Sequence, residues 1–141
     1  MERSRLSDRM LWAVRFAWAF SGLLWFFWLG YEDQSLTSVM LVAVAIIIAA
    51  SITIFYRTIW NREATGSRGF FWTSLLGLAA GLSVGPTTVL LVAVKISLHD
   101  HPVPDFAVLD MVSVLSRMPI WGVIGLLSGM AFGWVFASRK M

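Results

Sequence analysis

The chain has 141 residues, of which 58% are apolar and 13% charged, with a formal net charge of +3. A soluble domain carries about a quarter charged residues, so a water-covered globule is excluded. The absence of cysteine excludes disulfides, thiolate metal sites and thiol redox chemistry. A mean hydropathy of +0.76 turns the basic balance towards a membrane surface and away from nucleic acid. The length suits one membrane domain over residues 1–141.

The apolar residues come in blocks long enough to cross a bilayer, about 20 residues each. The first block covers about 11–31, "LWAVRFAWAFSGLLWFFWLGY". It is too long for the apolar core of a cleaved signal and is followed by no small-x-small site, so we read it as a retained span. Its aromatics point in several directions, towards lipid, a bound apolar group or a neighbour. Trp18 and Trp25 lie seven residues apart on one face, below the interface belts, and are candidate partner contacts. Arg15 sits one turn inside this span. Its stem can carry the guanidinium back to the headgroups, or it contacts lipid phosphate or a partner.

The second block covers about 36–56 and the third about 70–98. The third is longer than a bilayer needs, which predicts tilt, protrusion or a kink at Pro86. At "VGPTT", Thr87 and Thr88 are placed to satisfy nearby backbone groups. Gly77, Gly81 and Gly85 recur every four residues and form a flat strip on one face. Lys95, near the far end of the span, has the same two readings as Arg15.

Between the third and fourth blocks stands "KISLHDHPVPDF". His99, His101 and Asp105, with Asp110, are weak candidates for a metal site, because the spacing fixes no convergence of three or four ligands. A polar exit turn explains the same residues. Pro102 and Pro104 end the third helix. Asp105 then caps a short helix over about 105–117, with Phe106, Leu109, Val112 and Leu115 at three-residue spacing, lying on the outer surface. Pro119 opens the fourth span, about 119–137, in which Gly125, Gly129 and Gly133 form a second strip. Small residues permit the close backbone approach that holds spans together in lipid. The strips therefore predict either a seam between the third and fourth spans or a face for another protein.

Basic residues fix the expected orientation. Arg3, Arg5, Arg9, Arg57, Arg62, Arg68, Arg139 and Lys140 fall on one side of an even number of spans. By the positive-inside rule both termini face the cytoplasm, in a plasma (inner) membrane. The aromatic belts agree, with Trp12, Tyr56, Trp60, Trp72 and Trp134 at the inner interface and Trp28, Tyr31 and Trp121 at the outer one. No Asp, Glu or His lies inside a span away from its ends, so proton coupling through an intramembrane acid is not expected. No catalytic signature or intramembrane haem ligand is present, and neither enzymatic activity nor a cofactor is expected.

The sequence thus predicts an all-α, integral membrane four-helix bundle. Its expected function is that of a structural or accessory subunit, packed against lipid and against other membrane proteins or copies of itself. The alternative is a small homo-oligomeric channel or carrier for an ion or small solute.

Overall fold

The computed structural model describes residues 2–30, 35–60, 66–98 and 108–138. Among them are five α-helices: α1 (Glu2–Gly30), α2 (Leu36–Ile54), α3 (Gly66–Leu98), α4 (Val108–Ser116) and α5 (Met118–Ser138). A π-helical turn, Phe55–Trp60, prolongs α2. Four helical stretches are long and apolar enough to cross a membrane: Asp8–Gly30, Leu36–Thr58, Gly66–Leu98 and Met118–Val135. In hydrocarbon each backbone N–H and C=O must be satisfied within the protein, and a helix does this inside one segment.

The long helices pack in a row. α1 lies on α2, α2 on α3, and α3 on α5, the last pair being the largest interface. Only 6% of the apolar window of α1 is buried, against 33% for α3, so α1 is the peripheral member. Buried apolar side chains gather at the end of the row opposite the chain ends. Trp28 of α1, Val39, Val42 and Ala43 of α2, and Leu91 and Val92 of α3 form this cluster, with Met111 of α4 against it.

The centre of the α3–α5 seam is backbone against backbone. A methyl group on Gly77 would fall on the Gly125 carbonyl and 2.9 Å from the Gly129 Cα; on Gly81 it would fall on the Trp121 carbonyl. Gly85 faces Met118 Cγ at 2.9 Å. From the other side, a methyl on Gly129 would meet the Thr73 carbonyl, and one on Gly133 the Thr73 hydroxyl. The two strips therefore lie against each other along an antiparallel pair.

A second seam of small residues joins α1 to α2. The Ser21 hydroxyl lies 2.7 Å from the Ala17 carbonyl of its own helix and 2.9 Å from the Ala45 carbonyl across the seam. Its single proton is shared between them. One turn nearer the chain ends, Trp18 Nε1 donates to Thr53 Oγ1 at 2.9 Å, while Thr53 donates to the Ala49 carbonyl at 2.8 Å.

α3 runs through Pro86 as one helix of 33 residues, about 50 Å at 1.5 Å per residue. Pro86 has no N–H, which deprives the Leu82 carbonyl of its helical donor. The buried Thr88 hydroxyl bonds to Val84 at 2.7 Å, not to Leu82. α4 and α5 are separated by Arg117 alone. The Arg117 N–H reaches the Val114 carbonyl at 3.2 Å, and the Trp121 N–H reaches the Arg117 carbonyl at 3.2 Å. Pro119 cannot donate to Leu115, which accounts for the break at this point. α4 packs along α3, with Val114 buried and its carbonyl 3.5 Å from where a Gly85 Cβ would stand. Val108, Leu109 and Val112 are left outward and exposed. The expected cap at Asp105 and the apolar position at Phe106 lie outside the described residues.

Gly81→Ala should lower stability by about 1–3 kcal/mol, because a methyl forces two backbones apart with no side chain able to give way. Gly22→Ala, where nothing lies within 4 Å of the added methyl, should be neutral or stabilising by up to about 1 kcal/mol through helix propensity. Unfolding of both variants in mixed micelles measures the difference.

Candidate functional site

Two features at opposite ends of the helix row bear on function. The first is a buried cation. Lys95 lies three residues from the end of α3 and is only 2% exposed. Position in the sequence left Lys95 two readings, a stem reaching the headgroups or a contact with lipid phosphate or a partner; within the protein its side chain is buried. Its ammonium sits 4.9 Å from the ring centroid of Trp28, which reaches it from α1. Trp28 is itself 5% exposed. It is packed inside the helix row.

The local physics explains the pairing. A buried ammonium is costly unless compensated, and the negative face of an indole attracts it by about 0.5–2 kcal/mol, more when water is excluded. The flanking Leu91, Val92 and Val39 are buried and exclude water. The edge of the same indole points into protein, and its Nε1–H has no hydrogen-bond partner among the described residues.

The second feature is an apolar cleft of about 640 Å³ between the chain-end halves of α1, α2, α3 and α5. Met10 and Ala13 of α1 form one side, and Ser128 and Phe132 of α5 the other. Ile48, Ser51 and Phe55 stand behind them on α2 and its π-turn, with Leu76 and Ala80 on α3. Phe55 and Phe132 meet edge to face, with centroids 5.2 Å apart. The lining hydroxyls of Thr73 and Ser128 are turned to carbonyls of their own helices, at 2.9 Å (Phe70) and 2.8 Å (Ile124). Ser51 is the third lining hydroxyl, and the other lining side chains are hydrocarbon or thioether.

The other sequence candidates are placed as follows. Arg15 is exposed, with its guanidinium 5.8 Å above the Trp12 ring. Trp18 and Trp25 are 46% and 41% exposed, and Trp18 is tied to α2 through Thr53. Phe16, Phe20, Phe26 and Phe27 of α1 are also outward. Among the described residues no three His, Cys, Asp or Glu side chains come together as metal ligands. Asp110 is exposed on α4, and His99, His101 and Asp105 lie outside the described residues.

The cleft and the α1–α2 seam escaped the sequence reading, which followed glycine alone. The signal was present in Ala13, Ala17 and Ser21, and in Ala45, Ala49 and Thr53, each set spaced by four. Comparison of the chain with family models, curated proteins and solved structures found no match.

The Trp28–Lys95 contact makes a measurable prediction. A double-mutant cycle with Trp28→Leu and Lys95→Met should give a coupling of about 0.5–2 kcal/mol. Lys95→Met alone, which keeps most of the volume, should destabilise less than Lys95→Ala, which also leaves a cavity. Chemical unfolding in micelles of the four members of the cycle, together with Lys95→Ala, provides the readout.

Proposed function

We propose that this chain is a structural or accessory subunit of a larger membrane complex, embedded with both ends on the cytoplasmic side. The carrying observation is the outward wall of α1, where Trp25, Phe26 and Phe27 are 41%, 73% and 65% exposed on a helix that is itself scarcely buried. Aromatic side chains provide large, stiff contact areas and dominate interfaces. The glycine faces of α3 and α5 are consumed by each other, so the partner meets side chains of α1 and not a glycine strip. In this reading α4 lies towards the outer surface, with Val108, Leu109 and Val112 against lipid.

A second reading rests on Lys95. An ionisable group buried within the apolar layer is a default mark of a solute or ion pathway, as in a small homo-oligomeric carrier. In liposomes such a carrier moves an ion or solute, and Lys95→Met stops it. Flux unchanged by that substitution removes this reading.

For the subunit reading, extraction in mild detergent followed by native mass measurement should recover the chain with other membrane proteins. Trp25→Leu, Phe26→Leu and Phe27→Leu together should weaken that association by roughly tenfold or more, as loss of interface aromatics does, while leaving the unfolding midpoint of the isolated chain unchanged. Recovery of the wild type only as a lone monomer contradicts the proposal.

A further inference from the structure

The geometry points to a lipid site: we propose that the cleft between α1, α2, α3 and α5 holds an acyl chain of an anionic phospholipid, whose phosphate is held by Arg9. The volume is within the roughly 300–1,000 Å³ of small-molecule sites. Along α2 the lining runs from Ile47 to Phe55, about 12 Å at 1.5 Å per residue. The mean cross-section is then about 50 Å², too narrow for a helix about 10–12 Å across and wide enough for hydrocarbon chains. A partner's transmembrane segment is therefore not the occupant.

The chemistry of the walls selects the same ligand. Thr73 and Ser128 spend their protons on their own helices, and water finds too few partners to fill such a space. An empty apolar wall forgoes dispersion attraction, and any hydrocarbon that enters restores it. The bilayer supplies that hydrocarbon at the opening between α1 and α5. α1 packs principally on α2, so this side of the cleft can adjust to the chain it admits.

The headgroup class follows from charge at the mouth. Arg9 stands one turn before the lining residue Ala13, on the same face of α1, and is exposed; Arg57, two residues after the lining Phe55, is exposed in the same chain-end layer but leaves its helix on the opposite face. Arg68 of α3 lies in the same layer and is also exposed. Asp8 is the acid among the described side chains there. A guanidinium on the cleft face of α1, in a layer that also carries Arg57 and Arg68, fits a phosphodiester with net negative charge, and fits a zwitterionic headgroup less well.

Photo-crosslinking of the full chain in liposomes tests the site. Phosphatidylglycerol and phosphatidylcholine carrying the same diazirine-labelled acyl chain are compared, and adducts are mapped by peptide mass spectrometry. The expected result is phosphatidylglycerol adducts concentrated at Met10, Ala13, Ile48 and Phe132 over the outward wall at Phe16 and Phe27. Arg9→Gln should reduce the headgroup preference roughly fivefold, the size of effect one basic side chain exerts at an anionic surface. Ala80→Phe should remove the cleft adducts and spare those on the outward wall. Even labelling of all lipid-facing surfaces in the wild type would mean annular lipid only and overturn the site. Equal cleft labelling by the two lipids would overturn the anionic headgroup, and both comparisons are made on unaltered protein.

Discussion

Direct contact between two backbones organises this molecule. In a bilayer the surrounding tails are as apolar as any leucine, so burying hydrocarbon gives helices little reason to associate. What remains is dispersion and weak polar contact at short range, and both decay steeply with distance. Gly77, Gly81 and Gly125 let the backbones of α3 and α5 touch at the centre of the line along which they meet. The other helices are then arranged outward from this pair, α2 on α3 and α1 on α2, with the buried share of each apolar window falling from 33% in α3 through 28% in α2 to 6% in α1.

That gradient accounts for where the two candidate features lie. Near the ends of α1 and α3 opposite the chain termini, Trp28 reaches across to Lys95 and draws Val39, Val42 and Val92 into a closed cluster. At the other end a cleft lies between α1 and α5, with Phe55 and Phe132 on its walls. The two ends thus do different work. One encloses Lys95 under the Trp28 indole, and the other leaves hydrocarbon surface accessible from the side.

Much of the architecture was legible in the sequence, because hydrocarbon imposes length and composition on each span directly. The four spans show in the uninterrupted apolar blocks, and the place of the break before the fourth shows in Pro119. Burial was much less legible. Lys95 reads as a residue near a helix end, and only the register of α1 against α3 puts an indole over it and water out of reach. Trp28 reads as an interface aromatic for the same reason, since an interface belt and a core cap are both aromatics near a span's end. The cleft is a space between four helices. It follows from how far apart α1 and α5 stand, a quantity no single segment encodes.

The α3–α5 seam also has a consequence for biogenesis. A ribosome delivers α1 and α2 first, and these can pair as a hairpin through Ser21 and Thr53 as soon as both have left the translocon. α3 follows with its glycine face bare, and the helix that complements that face is delivered last among the described elements. Until that helix has emerged from the exit tunnel, lipid or a chaperone of the membrane must occupy the Gly77–Gly81 surface. The strongest contact of the mature protein is therefore the latest to form, and a stalled nascent chain would present that surface to the quality-control machinery.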